Sequence, residues 1–362
     1  MRLHVVNLPH TNTTDEFSWC AYSTKVKRFC DMMTSLDYEV ILYGGPENDA
    51  AVTEHVVTST EQSDGVVIPP FDMNFPTWRH MAERTIPEIR TRASKSDMLC
   101  LIGGASQLPI AQAIPELPAV EYGIGYSGVF SKFRVFESYA WMHAVLAQTI
   151  DAAGAVGRFY DRVIPNYFDV SQFPEGDGKG DYLFFIGRLI PLKGIQIVRD
   201  IQERTGLPLV VAGTGDTSLL PKDCEYMGNV LPAERAKLLG GARCTLVPTM
   251  YVEPFGGVAV ESMLTGTPVI TTDFGAFTET VPQGVGGYRC HDLGEFEWAV
   301  QNVGNLDRAA TRAHAMKYDM NTIRYEYDNY FQALAELKGD GWYSKNSRPP
   351  VGAERLREKG VK

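Results

Sequence analysis

Tyr182-Leu-Phe-Phe-Ile-Gly-Arg188-Leu-Ile-Pro-Leu-Lys193-Gly-Ile-Gln-Ile-Val-Arg-Asp-Ile-Gln-Glu-Arg-Thr205, followed by Gly206 and Leu207-Pro-Leu-Val-Val-Ala212, decides the fold. It reads as a strand (182–186), a glycine-bounded basic loop, a helix (194–205) and a second strand (207–212). Strands alternating with helices build a parallel sheet wrapped by helices, and such sheets bind ligands at the carboxyl ends of their strands. Downstream the alternation continues: helix 232–239, strand 245–248, helix 256–264, strand 268–272. Upstream a first series reads strand 3–8, helix 17–36, strand 39–43, helix 77–94, strand 98–102, helix 105–114 and strand 119–122. Between the two series, Phe173-Pro-Glu-Gly-Asp-Gly-Lys-Gly-Asp181 has no periodicity and reads as a linker. The expected architecture is α/β: two Rossmann-like halves, 1–172 and 173–315, facing across a cleft, then a segment 316–362 holding a tyrosine-rich helix (323–337) and a tail.

Length and composition agree with two compact domains. The chain has 362 residues, 44% apolar and 22% charged, which excludes disordered, collagen-like and coiled-coil classes. Net charge is −10, against a protein built to coat nucleic acid or anionic membrane. The charge is uneven: residues 1–172 and 173–337 each carry −7, whereas 338–362 carry +4. The basic tail keeps DNA from being excluded as a partner and otherwise reads as a frayed soluble end. Cys20, Cys30, Cys100, Cys224, Cys244 and Cys290 form no C-x-x-C pair, which fits reduced, mostly buried thiols. The N-terminal apolar run is too short for a signal sequence and no run is long enough for a membrane span, so a cytoplasmic protein is expected.

Two segments carry chemistry. Glu253-Pro-Phe-Gly-Gly-Val-Ala-Val-Glu261 places two carboxylates astride the start of a helix. Gly256 and Gly257 permit close backbone approach, and the free amides of Gly256, Gly257 and Val258 with the helix dipole favour an anion or hydroxyls. Glu253 lies at the mouth; Glu261, one turn inside, can accept two hydrogen bonds from a vicinal diol. Capping and surface charge are the bland reading of such glutamates. The second segment weakens it: Gly187, Arg188 and Lys193 put a fork-shaped and a point-like cation at a strand end, a pairing suited to a departing diphosphate.

Together these segments resemble the donor half of retaining GT-B glycosyltransferases, specifically glycosyltransferase family 4. The resemblance rests on Gly187-Arg188-x4-Lys193-Gly194, Val211-Ala-Gly-Thr-Gly-Asp216, the Glu-x7-Glu block, Gly266-Thr-Pro-Val-Ile270, Gly275-Ala-Phe-Thr-Glu279 and Ile164-Pro-Asn166, in order across 164–282. It implies that Arg188 and Lys193 bind the donor diphosphate and that Glu253 contacts hydroxyls of the transferred sugar. It further implies that the amides of Phe255, Gly256, Gly257 and Val258 hold sugar and phosphate, that Glu261 holds the ribose, and that the segment with Gly228 and Val230 lies near the base. The implied reaction transfers a hexosyl group from a UDP- or GDP-linked sugar with retention, the leaving phosphate helping to deprotonate the acceptor. No cofactor is required: there is no Asp-x-Asp motif for a metal, and the two cations supply the charge. The helix at 323–337 is the candidate crossing helix that returns to the first half.

The acceptor side is read from residues that depart from that family. His10-Thr11-Asn-Thr-Thr14 follows the first strand where the family has a glycine-rich loop, and it contains no glycine. His10 and Thr11 are placed in the site as catalytic or acceptor-orienting groups; Thr14 and Asp15 equally suit turn and capping roles. Tyr126, Glu137 and His143 are the further acceptor-side candidates, from a segment that otherwise reads as aromatic core packing beside a loop. Leu8-Pro-His-Thr11 and Glu16-Phe-Ser-Trp-Cys-Ala-Tyr22 resemble glycosyltransferases of phages and some bacteria, which brings a hydroxylated DNA base, a virion protein or an envelope glycan into consideration as acceptor. The alternative is an NAD(P)-linked oxidoreductase, motivated by the two halves and by Gly123-x-Gly125-x-x-Gly128, which lacks the following helix and acidic residue of a dinucleotide fingerprint. A decayed, purely binding descendant of the fold is opposed by the intact Arg188, Lys193, Glu253 and Glu261. Oligomeric state is left open.

Overall fold

A computed structural model describes residues 1–60, 72, 74–148 and 154–337; the basic tail lies outside the described residues. The first half contains β1 (Arg2–Val6), α1 (Ala21–Thr34), β2 (Glu39–Gly44), β3 (Glu54–Val57), α2 (Pro76–Arg92), β4 (Met98–Leu101), α3 (Leu108–Ala113), β5 (Ala119–Ile124), β6 (Phe133–Phe136), α4 (Tyr139–Ala147) and β7 (Arg162–Val163). The second contains β8 (Leu183–Ile186), α5 (Ile195–Thr205), β9 (Leu209–Ala212), β10 (Cys224–Tyr226), α6 (Pro232–Gly241), β11 (Cys244–Val247), α7 (Gly257–Leu264), β12 (Val269–Thr272), α8 (Phe277–Thr280), β13 (Gly287–Cys290), α9 (Leu293–Asn302) and α10 (Arg308–Ala315), with α11 (Met320–Ala335) after it.

The strands form two parallel sheets, ordered β3-β2-β1-β4-β5-β6-β7 and β10-β9-β8-β11-β12-β13. Both are covered on two faces, which is why β4, β8 and β9 read as unbroken apolar runs. In the first half Leu3 and Val5 pack with Val26 and Phe29 of α1, while Val6 and Ile41 pack with Met81 and Ile89 of α2. Strand order reverses between β1 and β4 and between β8 and β11, so each half has a crevice at the carboxyl ends of its central strands. In the first half Gln107 closes part of that crevice: its side chain accepts from the Ile102 and Gly103 amides and donates to the Val6 and Asn7 carbonyls.

Two chain crossings join the halves and clasp each other. The Phe168 amide donates to Tyr318 O and the Met320 amide to Phe168 O, each at 2.9 Å. The chain then enters α11, whose Ile323, Tyr327, Tyr330, Phe331 and Leu334 belong to the first half's core, as the tyrosine-rich segment led us to expect.

Several boundaries differ from the sequence reading. The helix expected over 17–36 is a short 3-10 turn (Asp15–Phe17) and a separate α1, because Cys20 is extended between them. Strands β3, β6, β7, β10 and β13 and helices α4, α8, α9 and α10 are not in the sequence reading; β3 is an edge strand with no buried residue, and β7 has two residues, so neither has an apolar run to betray it. Among the described residues no helix is long and apolar enough to cross a membrane. None of the cysteines is in a disulfide, and all but Cys224 are buried.

Candidate functional site

The loop after β8 folds back over the end of β11. Gly194 makes this approach possible: its φ is +77° and a Cβ there would lie 2.1 Å from Pro248 O. The Met250 amide donates to Leu192 O at 2.9 Å, aligning the two loops. Lys193 Nζ consequently sits 2.9 Å from Glu253 Oε2, with side chains 19% and 12% exposed, and 4.9 Å from the centroid of the Tyr251 ring. Burial acts to lower the Lys193 pKa, but Glu253 and Tyr251 outweigh it and the net shift is upward, so the ammonium is retained. Arg188 is exposed one residue beyond Gly187, and among the described residues no ion pair engages its guanidinium.

Gly256 turns the chain into α7 with φ +80°; a Cβ would come 2.6 Å from the Phe277 ring. The amides of Ala259 and Val260 fold back onto Gly256 O, leaving the Gly257 and Val258 amides as the orphan donors of the first turn. The Phe255 ring is buried against Phe168 and Tyr318, so only its backbone can meet a ligand. Glu261 is 7% exposed and lies 3.4 Å from Arg235 Nη2 of α6, with Arg28 of α1 contributing a second nearby positive charge. Arg235, Arg28 and Tyr251 were not singled out from sequence. Gly228 adopts φ +65° with open space where its side chain would be, whereas the Val230 side chain is packed among Phe184, Val210 and Leu239 and can contribute only backbone. A cavity of about 300 Å³ runs between the halves beside this region, lined by Lys27, Arg28 and Asp31 from α1 and by Asp169, Pro232 and Arg235.

In the first half the candidates separate. His10 is 1% exposed and its pKa is pushed down to about 4 by burial, so the ring is neutral near pH 7. Thr11 is also buried, its hydroxyl against that of Ser23. Tyr126 is turned inward: its hydroxyl donates to Glu121, which is fully buried and has its pKa raised to about 7 by burial, against hydrogen bonds from the Ser131 and Phe130 amides. His143 is exposed on α4, its ring beside Tyr139. Glu137 is buried and ion-paired with Lys25 of α1. Its neighbours reach across the cleft: Ser138 Oγ donates to Pro254 O at 2.7 Å, and the Tyr139 and Ala140 amides donate to the Glu279 carboxylate at 3.0 and 2.7 Å. The residue after Glu137 therefore touches the residue after Glu253.

The site thus sets two cations, a helix start and two carboxylates at the carboxyl edge of the second sheet, an arrangement able to hold an anion and a polyol together. Residues 180–305, the segment that builds it, match the family described as Glycosyl transferases group 1. Residues 180–305 form a glycosyltransferase group 1 domain. Relatives of this domain include an uncharacterized glycosyltransferase of Methanocaldococcus jannaschii, 29% identical over 180 residues, covering 43% of this chain and 46% of the relative. Another is the D-inositol 3-phosphate glycosyltransferase of Acidothermus cellulolyticus, 30% identical over 221 residues and covering 49% of each. The chain spans about half the length of the curated relatives it matches. Solved structures extend the likeness to both halves. A glycosyltransferase involved in avilamycin A biosynthesis superposes with a TM-score of 0.69 at 20% identity, over 92% of this chain and 98% of that one. Anabaena HepE, solved with UDP and glucose, gives 0.67 at 15% identity, over 92% and 99%. The fold around the glycosyltransferase group 1 domain is therefore that of GT-B glycosyltransferases. Among the described residues no group of three or more His, Cys, Asp or Glu side chains is placed to hold a metal ion.

Proposed function

We propose that the protein transfers a hexosyl group from a UDP- or GDP-linked sugar to an acceptor hydroxyl, with retention and without a metal. The observation that carries this reading is the Lys193–Glu253 pair at the start of α7, with Arg188 exposed beside it. In this reading Arg188, Lys193 and the amides of Gly257 and Val258 hold the diphosphate, Glu261 takes the ribose diol in place of Arg235, and Glu253 orients the sugar. Residues 173–315 supply the donor side and 1–172 the acceptor side. The acceptor oxygen bonds to the anomeric carbon as the bond from that carbon to the phosphate oxygen breaks on the same face, and the acceptor proton passes to the leaving phosphate. Glu253, tied to Lys193, is a steering group and not a covalent nucleophile. The relatives named as glycosyltransferases support glycosyl transfer, and HepE, solved with UDP and glucose, supports a nucleotide-sugar donor.

The oxidoreductase alternative loses its motif, because β6 and not a helix follows Gly123, Gly125 and Gly128. The test is a hydrolysis panel of UDP-glucose, UDP-galactose and GDP-mannose with the released sugar followed by NMR. Release of the α-anomer first from an α-linked donor is expected; release of the β-anomer overturns retention, and no hydrolysis or transfer with any donor overturns the reading.

A further inference from the structure

The composition of α4 does not match its surroundings. Tyr139-Ala-Trp-Met-His-Ala-Val-Leu-Ala147 contains no Asp, Glu, Lys or Arg, yet Val145 alone among its side chains is buried. A helix that is apolar all round belongs in a core, and one left at the surface marks an interface. Trp141 and Met142 rest one side against the first half's core and remain partly exposed, and Tyr139 is 57% exposed. The apolar surface continues past the helix. Leu146 lies against the chain at Gly157, its Cδ1 3.8 Å from where a Cβ would stand, and the residues flanking that glycine, Val156 and Phe159, are 61% and 56% exposed.

Basic side chains border this surface. Arg158 donates to Ser131 O, next to Lys132, whose Nζ lies 5.8 Å from the centroid of the Phe133 ring; that ring in turn meets the Tyr160 ring at 5.7 Å. Arg162 Nη1 donates to Phe159 O at 3.2 Å, and Lys132, Arg158 and Arg162 are all exposed. Asp161, the one acidic residue of 154–163, is ion-paired with the buried Arg134, and Glu279 at the start of α4 accepts from the Tyr139 and Ala140 amides. The end of α11 approaches the same segment, the Tyr330 hydroxyl donating to Tyr160 O at 2.8 Å, and the residues that follow it in sequence, 338–362, carry +4.

We infer that this face of the first half, made of α4, Val156 and Phe159 with a rim of Lys132, Arg158 and Arg162, docks on an anionic lipid surface. The inference does not depend on the transferase reading. The apolar side chains enter the boundary between headgroups and acyl chains while the cations meet lipid phosphates. The net charge of −10 does not oppose this, because it sums over the whole chain and salt confines each charge's influence to about 8–10 Å. The apolar centre selects lipid over nucleic acid, whose charged backbone gives Val156 and Phe159 nothing to bury against. Because α4 starts at Ser138, whose hydroxyl meets Pro254 O, a docked α4 holds the edge of the cleft at the lipid surface.

The test is co-sedimentation of the full chain with vesicles of phosphatidylcholine alone and of phosphatidylcholine mixed with phosphatidylglycerol. Binding to the mixed vesicles is expected, at least about tenfold tighter than to phosphatidylcholine alone and weakened by salt. Val156→Asp should weaken it at least about tenfold, and Lys132→Glu combined with Arg162→Glu should remove the preference for the mixed vesicles, each protein keeping the wild-type unfolding midpoint. No sedimentation with the mixed vesicles, equal binding to the two vesicle types, or unchanged binding in Val156→Asp overturns the inference. A wild-type dimer that Val156→Asp splits into monomers in light scattering assigns the face to a second copy and overturns it as well. Should Val156→Asp lower the midpoint, Tyr139→Ser takes its place, and the wild-type comparison of the two vesicle types decides by itself.

Discussion

Replacing Lys193 with alanine removes one group from two relationships at once. Its Nζ is 2.9 Å from Glu253 Oε2, and both side chains are more than four-fifths buried. At an effective dielectric of about 20, unit charges about 4 Å apart attract by roughly 4 kcal/mol, and desolvation of both groups offsets much of that. We expect a loss of about 1–3 kcal/mol in stability, the cost of stranding a largely buried polar partner. The kinetic effect is larger in proportion. A single oriented donor at a developing anion contributes about 2.7–4 kcal/mol, so kcat for donor hydrolysis should fall about a hundred- to a thousandfold. The assay is release of UDP or GDP from the donor found in the hydrolysis panel, with thermal unfolding measured on the same preparation. A double-mutant cycle with Glu253→Gln separates the contributions: because the residues are paired, their effects should be non-additive by about 0.5–3 kcal/mol. Wild-type kcat/KM in Lys193→Ala, or strict additivity with Glu253→Gln, refutes the argument that these residues act as a unit on the leaving diphosphate.

Three further outcomes follow from geometry and charge. Gly256→Ala forces a Cβ to within 2.6 Å of the Phe277 ring at φ +80°, and should lower the unfolding midpoint by several degrees in calorimetry, an unchanged midpoint being the contrary result. His10 has its folded pKa depressed to about 4 from an unfolded value near 6.5, so the unfolded chain binds the extra proton and stability present above pH 6.5 is lost as pH falls toward 4; denaturant titrations at pH 7 and pH 5 should show His10→Asn relieved of roughly 2 kcal/mol of this loss, and equal pH dependence in both proteins would contradict it. Glu279→Ala deletes the acceptor for the Tyr139 and Ala140 amides across the cleft, and should raise the radius of gyration in small-angle X-ray scattering by favouring an open arrangement, whereas an unchanged radius would show that Ser138 and the crossings suffice to hold the halves together.

The second half was readable because its signals are local. Apolar runs buried on both faces of a parallel sheet, glycines at strand ends and a helix start beside Glu253 all lie within short windows, and the loop pairing that joins Lys193 to Glu253 follows from β8 and β11 being neighbours. What escaped depends on contacts between distant elements. Lys25 and Glu137 are separated by 112 positions, and nothing in either local sequence announces a partner. Arg235 reaches Glu261 only because α6 packs beside α7. The glycines at 123 and 125 looked like a phosphate loop because a glycine demanded by a close-lying side chain and one demanded by a ligand leave the same mark in sequence. Tyr126 was a reasonable polar candidate whose hydroxyl is instead spent on Glu121, a pairing visible only once β5 and the loop before β6 are side by side.

The central claim is that the second half holds a nucleoside diphosphate through Arg188, Lys193 and the start of α7, with Glu261 on the ribose. Isothermal titration of the full chain with UDP, GDP and NAD, repeated on Glu261→Ala, addresses it most directly. The account predicts that UDP or GDP binds, that NAD does not, and that Glu261→Ala weakens the nucleotide at least about tenfold, the loss of a charge-assisted contact of roughly 1.5–3 kcal/mol. Binding of NAD alone, or a nucleoside diphosphate bound equally well by wild type and variant, would contradict it.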